Sequence, residues 1–134
     1  MISYHLPVIV LVALFTILTG CFNREKNVRI TPFSRSTIDS VTIRKFQPKS
    51  DSVVYLTRRL DDRQVNDLVY QINNATSERM TKSGVDLVIA VYTNDNKMRE
   101  IYTFSNNFKL KKEHGDWAFS IKELNFFEEL VKNQ

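Results

Sequence analysis

Apolar positions along the chain change their spacing several times, and each change marks an element. In "STIDSVTIRKF", residues 36–46, Val41 and Ile43 alternate with polar residues among β-branched neighbours, which predicts a strand. "QPKSD" turns the chain, and "SVVYLTRR" at 52–59 follows as a second strand expected to pair with the first as a hairpin. At "LDDRQVNDLVYQINNAT" the spacing becomes helical, with Val65, Leu68, Val69, Ile72 and Ala75 on one face. Asp61 is placed to cap that helix with Gln64 reaching back, Leu60 can pack on Val65, and Asn73 and Asn74 suit its exit.

Residues 84–120 return to short β-rich runs separated by the turn signals "NDN", "NN" and "HG", a pattern that predicts a four-stranded antiparallel meander. Val85, Leu87, Ile89 and Val91 are expected on one face of its first strand, and Phe108 and Leu110 on one face of its third. Connections this short exclude parallel crossovers. "SIKELNFFEELVKN" then predicts a closing helix, capped by Ser120 and Glu123, stapled by Phe119 and Leu124, and buried along Ile121, Leu124, Phe127, Leu130 and Val131. The order β-β-α-β-β-β-β-α implies an α+β fold: a twisted antiparallel sheet of about five to six strands with two helices packed on one face. A strongly curled sheet wrapped around one helix is the alternative.

Composition narrows this to one small domain. The chain has 134 residues and a formal charge of +4, and every Lys, Arg, Asp and Glu lies at or after Arg24. Acids and bases are interleaved except in the basic stretch Arg24 to Arg35 and at Lys109, Lys111 and Lys112, both read as solvated surface. Residues 21–36, "CFNREKNVRITPFSRS", keep no period and contain Pro32, so they are expected to be a flexible basic spacer before a domain at 37–134. That domain is expected to fold from about residue 36 onward without the spacer. Beside a bilayer, Arg24, Lys26, Arg29 and Arg35 would each gain up to about 1 kcal/mol from anionic headgroups.

Ahead of the spacer, "LPVIVLVALFTIL" from Leu6 to Leu18 is uncharged and short of the roughly 20 residues a membrane-spanning helix needs, but suits a signal-peptide core. The only cysteine, Cys21, follows at once. Leu18, Thr19, Gly20 and Cys21 resemble the lipobox of bacterial lipoproteins, although the opening "MISYH" lacks the Lys or Arg usual in that family. The resemblance implies that residues 1–20 are a removed signal peptide, with cleavage between Gly20 and Cys21 and lipid on the Cys21 sulfur. A thiol suits that transfer because thiolate is a strong nucleophile. Two or three acyl chains anchor where one would not, since each buried methylene contributes about 0.8 kcal/mol. Phe22, in place of the Asp that resembles an inner-membrane retention signal, favours the outer membrane in a host with two membranes.

Little in the mature part suggests reaction chemistry. One histidine, His114 in "EHGD", is expected as a solvated turn residue, and no P-loop, GxSxG or glycine-rich phosphate cradle is present. Asp61 with Asp62 open a helix, where negative charge suits the dipole, and Glu128 with Glu129 are expected on the outer side of the last helix. No catalytic, metal or cofactor residue is therefore assigned. Tyr92, Tyr102, Phe104, Phe108, Trp117 and Phe119 gather in the meander, where core packing competes with an exposed partner surface. The expectation is a non-enzymatic, lipid-anchored envelope module that binds an envelope protein and no nucleic acid. An inhibitor or immunity protein acting on a lytic or proteolytic enzyme through a loop at 77–84 or 113–116 is the alternative, and a hydrolase built on acidic pairs stands third.

Overall fold

The computed structural model describes residues 28–47, 50–79, 84–115 and 117–132. Strands β1 (Ile38–Gln47) and β2 (Ser50–Arg59) pair antiparallel, and helix α1 (Asp62–Asn73) follows. Then come β3 (Thr76–Arg79), β4 (Leu87–Thr93), β5 (Met98–Phe104), β6 (Asn107–Leu110), β7 (Trp117–Ser120) and helix α2 (Phe126–Lys132). All strands join one seven-stranded antiparallel sheet in the order β2-β1-β4-β5-β6-β7-β3. The α+β class is as expected, with one strand more than the sequence pattern indicated.

The added strand is β3, from "TSER". Its residues are mostly exposed and none is apolar, so no alternation marks it; what makes it a strand is pairing with β7, from Thr76 opposite Ser120 to Arg79 opposite Trp117. Three of the eight residues of the loop expected at 77–84 are thus sheet edge. The Pro48–Lys49 turn and residues 80–83 lie outside the described residues.

One face of the sheet carries the core. Ile43, Ile89, Ile101 and Leu110 stand opposite one another across β1, β4, β5 and β6, and all are at most 1% exposed. Beside them run Leu87, Thr103, Phe108 and Phe119, with Phe108 and Phe119 stacked at 5.5 Å and Phe127 of α2 edge-on to Phe108 at 6.2 Å. Val65, Leu68 and Ile72 from α1 and Phe126, Phe127 and Leu130 from α2 complete this cluster. Because β2 and β3 are opposite edges, the chain through α1 crosses the sheet from one side to the other. Gln71 of α1 donates to Glu123 ahead of α2 at 2.7 Å, and Arg58 of β2 donates to the Leu130 carbonyl near the end of α2 at 2.7 Å, where a cation suits the helix dipole.

Helix α1 keeps its expected phase and cap. Asp61 accepts from the Gln64 backbone at 2.8 Å while the Gln64 side chain accepts from the Asp61 backbone at 3.2 Å, and Asn74 terminates the helix. Helix α2 is shorter than expected. Ser120 belongs to β7, so it caps nothing, and Asn125 takes a left-handed φ of 60° immediately before the helix. Leu124 is consequently 78% exposed rather than part of the buried stripe, and Phe119 faces the core from β7 instead of stapling to it. Val85 likewise precedes β4 and is exposed.

The spacer is the larger correction. Residues 28–34 carry no helix or strand, yet Phe33 is 6% exposed and Val28 and Ile30 pack against the core. Arg99 lays its guanidinium 3.8 Å over the Phe33 ring and donates to the Thr31 carbonyl at 3.2 Å. Arg99 stands opposite Val91, and Val91 opposite Val41, on the core face, so this N-terminal strap lies on the same side of the sheet as the helices. The domain therefore begins by residue 28, not at 37, and a chain starting at 36 lacks one of its core side chains.

Candidate binding surface

Cys21 and Gly20, with the rest of residues 1–27, lie outside the described residues, as does Asp116. The other sequence candidates can be placed. Asp61 is the cap of α1, and Asp62 pairs with Arg35 at 2.8 Å. Arg35 also donates to Asn66 at 2.9 Å and to the Ile38 carbonyl at 3.3 Å, so it belongs to the fold and not to a loose spacer reaching for headgroups. Arg35, Ile38, Asp61 and Asp62 border a cleft of about 270 Å³ together with Asp39, Ser40, Arg59, Leu60 and Val65. Glu128 and Glu129 are exposed and both pair with Lys132.

His114 is not a free turn residue. Its φ is 61°, followed by Gly115 at 57°, a pair of left-handed residues that reverses the chain between β6 and β7. The imidazole packs edge-on against Phe119 at 5.5 Å, with Nε2 buried and without a hydrogen-bond partner among the described residues. With β3 taking Ser77, Glu78 and Arg79, both loops considered as inhibitor anchors are at least partly committed to the domain. Among the described residues, no group of three or more His, Cys, Asp or Glu could hold a metal ion, and no helix is long and apolar enough to cross a membrane.

The aromatic residues of the meander divide between the two faces. Phe108 and Phe119 are core, and Trp117 shares their side of β7, half-buried. Tyr92, Tyr102 and Phe104 point the other way, toward a face on which neither α1, α2 nor the strap packs. Across its centre stand Thr57, Arg44, Val88, Tyr102 and Lys109, and beside them Arg59, Thr42, Ala90 and Glu100. Tyr92 and Met98 oppose each other at one end, 40% and 48% exposed. Val88 and Ala90 are themselves buried, the short side chains lying between long polar ones.

The polar layer of this face is organised around Glu100, whose side chain is only 10% exposed. One carboxylate oxygen accepts from Arg44 at 3.0 Å, the other meets Lys111 at 2.6 Å, and the Lys111 ammonium sits 5.8 Å over the Tyr102 ring. The Lys111 hydrogen bond, with the charges of Lys111 and Arg44 behind it, holds the Glu100 carboxyl below the usual carboxylate range despite its partial burial. Glu100 in turn pushes Lys111 upward, chiefly through the same hydrogen bond. Charges from β1, β5 and the β6–β7 turn are thereby fixed in a plane, leaving an ordered surface with Tyr92 and Met98 at its margin. Such a surface can bind by contact.

The sequence pattern left the meander aromatics between core packing and a partner surface on the far face, and it did not locate the charges. Arg44 and Glu100 are 56 residues apart, and only the β1–β4–β5 register brings them together. No family model, no curated protein and no solved structure matches the chain.

Proposed function

We propose that the protein is a lipoprotein of the bacterial cell envelope, anchored by lipid on Cys21, whose small α+β domain is a non-enzymatic module for binding another envelope protein. The anchor rests on the run Leu18, Thr19, Gly20 and Cys21 after an uncharged apolar segment. The binding role is carried by one observation: a sheet face without a covering helix among the described residues, built on the Arg44–Glu100–Lys111 network and edged by exposed Tyr92 and Met98. Ordered charges beside aromatic and methionine side chains are what protein interfaces are enriched in.

The test begins with the anchor. Replacing Cys21→Ser should abolish incorporation of radioactive palmitate in cells and leave an uncleaved precursor, because a hydroxyl is far less nucleophilic than a thiol. Continued labelling of that variant defeats the proposal. With the anchor moved to an unrelated lipoprotein's signal and spacer, joined ahead of residue 28 so that the strap is kept, function should return. Confinement to a membrane raises the effective concentration near a membrane-bound partner, and that gain depends on the tether rather than on its sequence.

A further inference from the structure

We infer that the helix side of the domain lies against the bilayer that carries the anchor, with Tyr70 and Leu124 as its apolar contacts, and that the open sheet face looks away from the lipid. This deepens the anchored reading and rests on lipid at Cys21. Residues 28–34 run on the helix side of the sheet, with Val28 and Ile30 against the core and Arg99 over Phe33, so the chain toward Cys21 meets the described fold on that side. From Cys21 to Val28 the chain spans at most about 25 Å. A lipid on Cys21 therefore keeps the helix side within reach of the membrane, at a high local concentration of phospholipid.

That side is apolar at the place the strap reaches. Among the described residues, Leu124 and Tyr70 are the two most exposed large hydrophobic side chains, at 78% and 66%. Gln71, next to Tyr70, donates to Glu123, next to Leu124, at 2.7 Å, so the two side chains flank one junction between α1 and the turn before α2. Asn73, one turn beyond Tyr70 on α1, accepts from the Phe33 backbone, which brings the tethered strap to the same junction. A tyrosine ring suits the headgroup level of a membrane, and a leucine the acyl boundary beneath it. Headgroup charge does not make this contact. Asp62, Asp67, Glu128 and Glu129 outnumber Arg63 and Lys132 along the two helices, so the tether and apolar burial hold this side down. A protein partner is the competing occupant of the same two side chains, and the short leash decides for lipid.

Site-specific photocrosslinking of the full chain in cells tests this. A benzophenone amino acid replaces Leu124 or Tyr70 on the helix side, or Met98 or Tyr92 on the open face. Mass spectrometry is expected to find phospholipid adducts several-fold more abundant from the two helix-side positions than from the two open-face ones. With the probe at Tyr70, Leu124→Asp should lower the lipid adduct several-fold and Leu124→Phe should keep it. Leu124 is exposed, so an unchanged unfolding midpoint separates loss of lipid contact from loss of fold. Protein adducts in place of lipid at Leu124, equal lipid yields from the two sides, no lipid adduct at any position, or a Tyr70 yield indifferent to Leu124→Asp each overturn the inference. Palmitate labelling of the same cells reads the anchor separately. Labelled protein without the helix-side bias overturns the orientation alone, whereas unlabelled protein removes the lipoprotein reading and the orientation with it.

Discussion

Asn73 holds both backbone polar groups of Phe33, a residue 40 positions earlier: its carboxamide oxygen accepts from the Phe33 N–H at 2.8 Å and its nitrogen donates to the Phe33 carbonyl at 2.9 Å. An irregular segment cannot satisfy its own backbone, so a side chain at the end of α1 does it, and the Phe33 ring can then be buried beneath Arg99 without orphaned groups.

The strap should therefore stabilise the domain measurably. Phe33→Ala is expected to cost about 3 kcal/mol and Asn73→Ala about 1 to 2 kcal/mol in urea unfolding of the mature chain. A chain beginning at residue 36 should lose at least as much as Phe33→Ala. Equal midpoints for the truncated and full mature chains would mean that the strap only rests on the surface.

Two leucines near the helices should behave oppositely. Leu68→Asp places a carboxylate where the side chain is 1% exposed and should cost about 4 kcal/mol, while Leu124→Asp, at 78% exposure, should stay within about 0.5 kcal/mol. Thermal unfolding of the two variants compares them directly. A large loss at Leu124 would restore the longer second helix expected from the sequence pattern.

The Glu100 network should make part of the stability depend on pH. A carboxyl held below its ordinary value contributes stability above the unfolded-state pKa, about 4.3 for glutamate, and loses it as pH falls through the lowered folded value. Glu100→Gln is thus expected to be less stable than the parent by about 1 kcal/mol at pH 7, with the gap closing as pH is lowered through the acid range. Urea titrations at several pH values, repeated in high salt, provide the check; a gap that is constant with pH would assign the effect to packing.

What was legible in the sequence was what is locally determined. The apolar stripe of α1 and its Asp61–Gln64 cap lie within one short segment, and the meander strands are announced by turns at their ends. The misreadings share a different cause. "TSER" becomes β3 only because β7 offers it an edge, Leu124 fits a helical period that Asn125 interrupts, and the strap is written in basic residues around three apolar ones whose pocket is built from α1 and β5. The open face was half-visible. Its aromatic residues stood out, but the partners of Glu100 come from β1 and the β6–β7 turn, and no local pattern announces a charge network assembled by register.

The strand order also imposes a schedule on assembly. β1 with β2, and β4 through β7, pair between neighbours in sequence and close short loops, whereas the ladder joining Ile43 to Ile89 and the one joining Ser77 to Phe119 must wait for distant chain. On that ground two half-sheets are expected to form first and to meet along β1 and β4. Until they do, Val41 and Ile43 on one half and Ile89 and Val91 on the other stand at open edges, ready to pair with the wrong chain. α1, lying between the halves in sequence, is the link that limits how far they can drift apart before the seam closes.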